Sequence, residues 1–323
     1  MNATPGRPPP MSERQRQRDL DTYRIVDSLP ETAYDDVVRI AARICDAPVA
    51  TMSLIDRDRQ WFKSRVGIES TETSREVAFC DHAVREPQLL MEVPDAMHDP
   101  RFRDNPEVTG GIGIRFYAGM PLVTPNGTAV GTVCVIDRRP RELDEGQRDA
   151  LAALARITMN LLESRRQLLE AEITAALQPP APVDGAHHGA SHYSVVIVEL
   201  QGYSRVVSQR GHRIVEQTLQ QCSQALERLL KPGEALNRVS GAPEFVLTLN
   251  GDVDAERLQA IERVANASAT MLGTDAVAAA ASSMSPKESP LTVFGRADEE
   301  LTRRKTERID VAAASVEPAL MRH

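Results

Sequence analysis

Arg238-Val-Ser-Gly-Ala-Pro-Glu-Phe245 joins two short apolar runs, Ala235 to Val239 and Phe245 to Leu249, and reads as the turn of a β-hairpin. Gly241 supplies the backbone freedom of a tight turn. Ala242 adds a methyl group where close approach needs none, and Pro243 fixes φ and removes an N–H. On the N-terminal side, Ser194 to Leu200 is an apolar, β-branched run that predicts a buried strand. Val215, Leu219, Cys222, Leu226 and Leu229 mark one face of a helix that stops near Lys231-Pro-Gly233. On the C-terminal side the pattern predicts a helix over Asp254 to Met271, a strand over Ala276 to Ser282, and a last helix opened by Ser289-Pro290. The order βαββαβ is the ferredoxin-like split unit.

A chain of 323 residues has room for a second domain, and 41% hydrophobic with 26% charged residues is a globular composition. The net charge of −8 argues against neutralising nucleic-acid phosphates, so no nucleic-acid partner is expected. Arg14, Arg16 and Arg18 read as a solvated helix face. No apolar run reaches bilayer length and the start lacks a secretory h-region, which predicts a cytoplasmic protein without membrane contact. Cys45, Cys80, Cys134 and Cys222 are scattered, with no Cys-x-x-Cys pair, and read as reduced core thiols rather than a zinc site. Gln178 to His192 concentrates Pro, Gly and small polar residues and reads as a linker. Its His187, His188 and His192 lack structured partners that would make them metal ligands.

Ahead of the linker, Val37, Val38, Ile40, Ala41 and Ile44 have helical spacing, and Val49 to Ile55 is a β-rich run. Asn126-Gly127 between Phe116–Val123 and Thr128–Ile136 is a strong hairpin signal, because both residues tolerate φ > 0. Asp144 and Gln147 have capping-box spacing at the start of a long apolar-periodic stretch to about Leu177. Leu54-Ile-Asp-Arg-Asp-Arg-Gln-Trp-Phe-Lys-Ser-Arg-Val-Gly67, Phe79-Cys-Asp-His-Ala83, Val93-Pro-Asp-Ala96, Asp99-Pro-Arg-Phe102, Ile114-Arg-Phe-Tyr-Ala-Gly119 and Gly131-Thr-Val-Cys-Val-Ile-Asp137 together resemble a GAF domain of the bacterial sensor type over roughly residues 20 to 165. The resemblance implies an antiparallel sheet with flanking helices and a small-molecule pocket. Trp61, Phe79, Cys80, His82, Arg115, Tyr117 and Asp137 are the pocket candidates, with packing and hydrogen bonding the expected roles of Cys80 and His82. Cys80-Asp-His82 does not match the pigment attachment of bilin-binding GAF domains, nor are Cys45, Cys80 and Cys134 spaced as in GAF-type methionine sulfoxide reductases.

Leu154, Ile157, Leu161, Ser164, Leu168, Ala171 and Ala175 alternate three-then-four, the spacing of a coiled-coil seam flanked by Glu163, Arg165, Arg166 and Glu170. A homodimer through this 150–177 helix is the expectation.

The hairpin of the second domain resembles the Gly-Gly-Asp/Glu-Glu-Phe signature of diguanylate cyclases, the GGDEF family, and the resemblance covers roughly residues 193 to 312. Glu199-Leu-Gln-Gly-Tyr-Ser-Arg-Val-Val-Ser-Gln-Arg-Gly-His212 is similar to the family's Asp-x-Asp-x-Phe-Lys-x-x-Asn-Asp-x-x-Gly-His. The resemblance puts Glu199 at a metal-binding Asp, Gln201 at the second acidic position, Val207 at the guanine-binding Asn and Glu216 at another guanine contact. In the signature itself Gly241, Glu244 and Phe245 fit while Ala242 and Pro243 depart, and Lys305 stands at a phosphate-contacting lysine. The inhibitory Arg-x-x-Asp site has only Lys231-Pro-Gly-Glu234. Val207 leaves guanine groups unpaired at a cost on the order of 1–3 kcal/mol, and phosphoryl transfer depends on positioned metals.

The expected organisation is α+β in two domains: a segment 1–19, a GAF domain 20–165, a signalling helix and linker 166–192, a degenerate GGDEF domain 193–312 and a tail 313–323. The expected protein is a sensor of an unidentified small molecule within cyclic di-GMP signalling, coupled to a non-catalytic module and a protein partner, with no metal and no cofactor. Its alternatives are an active diguanylate cyclase and a protein-binding scaffold.

Overall fold

The computed structural model describes residues 13–177, 192–239, 243–285 and 287–320, and the chain divides into two units, Met1–Gln167 and Leu168–His323. Gly241, Ala242, His187, His188 and the linker positions 178–191 lie outside the described residues. Among the described residues no helix is long and apolar enough to cross a membrane.

The first unit is built on a six-stranded antiparallel sheet of order β3-β2-β1-β6-β5-β4. Its strands are β1 (Val49–Ile55), β2 (Arg59–Val66), β3 (Glu72–Ser74), β4 (Met91–Val93), β5 (Phe116–Val123) and β6 (Ala129–Asp137). Alternate residues face opposite sides. Met52, Leu54, Phe116, Val133 and Val135 meet α1 (Glu13–Thr22), α2 (Thr32–Ile44) and α5 (Glu145–Ala176) in one core, while Ile55, Tyr117, Cys134 and Ile136 meet α3 (Phe79–Ala83) in another. Both faces are covered, so β1 is buried at every position. A short helix α4 (Pro106–Thr109) completes the unit. The Asn126-Gly127 turn forms with Gly127 at φ +83°, and the capping box is closed by Gln147 N to Asp144 Oδ1 at 2.8 Å and Asp144 N to Gln147 Oε1 at 3.1 Å.

Residues 13–19, read as part of an N-terminal segment, instead belong to the folded unit as most of α1. Arg16 is buried rather than solvated, because its guanidinium reaches the Ile55 carbonyl and the Glu13 carboxylate, and Gln17 bonds Asp56 at 3.0 Å.

The second unit is a four-stranded antiparallel sheet of order β10-β7-β9-β8. It runs β7 (Tyr193–Leu200), α6 (Tyr203–Arg210), α7 (His212–Glu227), β8 (Ala235–Arg238), β9 (Glu244–Asn250), α8 (Ala255–Met271), β10 (Ala276–Ser282) and α9 (Pro290–Leu320), the expected split unit. Asp254 caps α8 through Arg257 N. Helix α5 continues through 166 to Ala176. Its Leu169 and Ile173, with Leu177, are buried against Val195, Ile197, Val246 and Val293, because this sheet face would otherwise carry apolar side chains into water. Helix α9 likewise continues past 312 to Leu320.

Candidate functional site

In the first unit, the sheet face opposite α2 and α5 carries a cavity of about 710 Å³. Strand parity decides its lining. Gln60 and Phe62 of β2 point into it, whereas Trp61 between them packs in the helix-side core. Phe79, Cys80 and Tyr117 line it as expected. The other four candidates do not. His82 sits edge-on to Phe102 at 4.8 Å, its imidazole held below the usual range by burial and by Arg85. Arg115 is engaged by Asp95 through bonds of 2.8 and 2.7 Å, and this guanidinium holds the Asp95 carboxyl well below the usual carboxylate range. Asp137 accepts from Arg139 N and Arg141.

The apolar wall includes Ile68, Val77 and Ile112, and polar groups come from Gln60, Thr73, Glu107 and Arg138. Gln60 is 7% exposed, and its Oε1 has no hydrogen-bond partner. A buried carbonyl without a donor costs about 1–3 kcal/mol, so the position favours a ligand that brings one. Period-two alternation over Arg59-Gln-Trp-Phe62 carried the signal for Gln60 and Phe62. Ring size drew attention to Trp61 instead.

Folding also joins two of the scattered cysteines. Cys80 Sγ on α3 lies 3.8 Å from Cys134 Sγ on β6, Tyr117 donates its hydroxyl to Cys80 at 3.3 Å, and Thr51 Oγ1 is 3.1 Å from Cys134. The Cys80-x-His82 segment is one turn of helix, which turns the thiol inward and separates it from the imidazole.

In the second unit Glu199, the next-to-last residue of β7, stands directly opposite Glu244, the first residue of β9. Glu244 is buried. Lys305 of α9 donates to both oxygens of Glu199, at 2.8 and 3.0 Å, and Gln201 Nε2 adds a bond of 3.1 Å to one of them. Glu216 is held by two bonds to Arg238, at 2.5 and 2.8 Å, which keep its carboxyl below the usual range. Val207 presents an aliphatic side chain on α6, and the Pro243 carbonyl accepts from Leu200 N at 3.0 Å. Glu234 of the Lys231-Pro-Gly-Glu stretch is turned inward onto Arg257.

These residues do not fit the Mg²⁺ that the family resemblance implies. Mg²⁺ demands octahedral oxygen ligands, yet the carboxylate at position 199 is neutralised by an ammonium of the same chain. Among the described residues no group of three or more His, Cys, Asp or Glu is placed to hold a metal ion.

A family model described as GAF domain matches residues 29–162, and one described as Diguanylate cyclase, GGDEF domain, matches residues 164–309. A cyclic di-GMP phosphodiesterase of Pseudomonas aeruginosa is 38% identical over 165 residues, which cover 51% of this chain and 28% of that protein. The chain thus spans little more than a quarter of that relative. Among solved structures, the GAF domain of an Acinetobacter phosphoenolpyruvate-protein phosphotransferase is 18% identical, covers 49% of this chain and 98% of its own, and has a TM-score of 0.35. The GGDEF domain of DgcB from Caulobacter crescentus in complex with c-di-GMP is 16% identical, covers 44% and 82% respectively, and has a TM-score of 0.33.

Proposed function

Because the chain carries a GAF domain followed by a GGDEF domain, we propose that it is a cytoplasmic sensor in cyclic di-GMP signalling whose GGDEF domain regulates without catalysing. The observation that carries this reading is the Lys305 ion pair on Glu199. A residue placed to meet a nucleotide phosphate instead cancels the carboxylate placed to meet the metal. Arg238 on Glu216 and the aliphatic Val207 support the same reading at the base-contact positions. The P. aeruginosa relative, named a cyclic di-GMP phosphodiesterase, supports the signalling context and not a reaction of this chain. Purified protein incubated with labelled GTP and Mg²⁺ is expected to yield no cyclic di-GMP, and detection of that product would overturn the proposal.

The sensory half of the reading rests on the cavity and on Gln60. The ligand is a small molecule with an apolar body and a hydrogen-bond donor for Gln60 Oε1. The transmitting half rests on α5. Most of its expected seam is left uncovered: Ile157 is 49% and Leu168 62% exposed, and Ser164, Ala171 and Ala175 are exposed with them, while Leu161 between them is half-buried against the first core. A second copy of the chain satisfies this three-then-four row, giving a parallel homodimer. Leu168→Glu leaves the monomer fold untouched and is expected to shift the equilibrium toward monomer by roughly tenfold or more, read by light scattering across a dilution series. A wild-type chain that is already monomeric would remove the basis of this coupling.

A further inference from the structure

We propose that Cys80 and Cys134 form an oxidisable dithiol at the floor of the GAF cavity, closing to a disulfide on reaction with a hydroperoxide. The inference does not depend on the identity of the cavity ligand. It stands on the 3.8 Å contact between the two sulfurs, on the Tyr117 hydroxyl donated to Cys80, and on the opening of Cys80 onto the cavity. Sulfurs in van der Waals contact are within a side-chain rotation of bonding distance, about 2.0 Å. Cys80 also sits on a five-residue helix, whereas Cys134 is fixed in the sheet.

The four thiols are not equivalent. Burial alone raises a thiol's pKa, as it does for Cys45, pushed up to about 11, and for Cys222. Burial acts on Cys80 in the same direction, but hydrogen bonds from Cys134 and Tyr117 outweigh it and hold Cys80 below the ordinary thiol range. Cys134 moves the other way, raised by its bond to Cys80 and by burial. One sulfur is thus prepared as the attacking thiolate and its neighbour as the resolving thiol.

In the first step the Cys80 thiolate attacks one peroxide oxygen, the O–O bond breaks, and a sulfenic acid forms as hydroxide leaves and takes up a proton. In the second, Cys134 sulfur attacks the sulfenic sulfur, the S–S bond forms, the S–O bond breaks, and the departing hydroxide takes the Cys134 proton. Two thiols and one hydrogen peroxide give one disulfide and two waters, the two electrons passing from sulfur to peroxide oxygen. A small dithiol reverses the reaction. The 2% exposure of Cys80 restricts the oxidant to molecules that enter the cavity.

The test uses the full-length protein and hydrogen peroxide. Thiols titrated after denaturation are expected to fall from four to two, and peptide mapping without reductant is expected to show Cys80 joined to Cys134. The doubly substituted Cys45→Ser, Cys222→Ser protein is expected to lose both remaining thiols. In Cys134→Ser a sulfenic acid at Cys80 is expected to be trapped by a dimedone-type reagent. Four thiols persisting after peroxide, a bond between other cysteines, or irreversible oxidation of Cys80 with no disulfide each overturn the proposal. The wild-type peptide map reads the outcome even where a serine variant fails to fold.

Discussion

Replacing Glu234 with alanine is expected to destabilise the second unit by about 3–5 kcal/mol, the usual cost of removing one partner from a buried ion pair. The Glu234 side chain is excluded from solvent and accepts from Arg257 at 2.9 and 2.5 Å, from Lys231 N at 2.7 Å and from Asn250 N at 3.2 Å. Alanine leaves the guanidinium without its charge partner and two backbone amides without an acceptor. Glu234→Gln keeps an acceptor for only one of the two amides, which bond different oxygens, and loses the charge and the second acceptor, so its cost is expected to fall between wild type and alanine. Denaturant midpoints of the two variants read the difference, and a loss below about 1 kcal/mol for alanine would show that water replaces the carboxylate. The pH dependence has a definite sign. Burial opposes ionisation of Glu234, but Arg257 and the two amides prevail and hold its carboxyl below the usual range. Its contribution is therefore complete above the unfolded carboxylate pKa and is lost as pH falls through the lower folded value. A carboxylate committed to this interior network is a structural group. Lys231-Pro-Gly-Glu234 thus turns its acidic side chain into the interior rather than toward a ligand.

That network illustrates what the sequence left unreadable. Element types were legible wherever a period was strong. The hairpin about Glu244, the Asp254 cap and the Ala276–Ser282 strand all follow from local spacing that tertiary contacts reinforce. The departures at Glu199 and Val207 were legible because they change the chemistry of single positions. Their consequences were not, since the partners come from far along the chain: Lys305 reaches Glu199 across 106 positions, and Cys134 meets Cys80 across 54. Helix α5 shows the intermediate case. Its three-then-four row was visible, but Leu169 and Ile173, one position or two away from that row, are the residues that pack on the second sheet. A periodic pattern identifies a face and leaves its neighbour to be chosen by the fold. The cavity gives the same lesson at the scale of one residue, since Gln60 and Trp61 are adjacent in sequence and lie on opposite sides of the sheet.

Lys63 is expected to contribute stability to the first unit that rises as the pH goes from 8 toward 10. Its ammonium is enclosed by Ser28 Oγ at 2.7 Å, the Leu29 carbonyl and Glu31 at 2.7 Å, 5.2 Å from the centre of the Tyr34 ring, with Asp35 and Arg165 nearby. Burial lowers its pKa, Glu31 raises it and Arg165 lowers it again, and burial prevails, bringing it from 10.5 down to about 8. The folded state therefore releases this proton before the unfolded chain does. Below pH 8 both states hold it and the full penalty of the buried charge is present. Between the two values the unfolded chain binds more protons, so stability rises with pH, by up to about 3 kcal/mol across the window. Tyr34 sets the upper limit. Burial and then Glu31 push its phenol up to about 12, so its contribution is lost as pH rises above 10, and the Cys45 thiol, pushed up to about 11 by burial, begins to lose its own contribution above about pH 9, so the Lys63 gain is read as the difference between wild type and a variant without the ammonium. Lys63→Met keeps the length of the side chain and removes the charge, while Glu31 retains Arg165 at 3.0 Å. Denaturant unfolding of the variant is expected to lose the rise between pH 8 and 10, and parallel profiles for the two proteins would refute the assignment. Glu31 accepts from Lys63 on β2 and from Arg165 on α5, so the same titration alters the charge balance beside the helix on which the exposed seam lies.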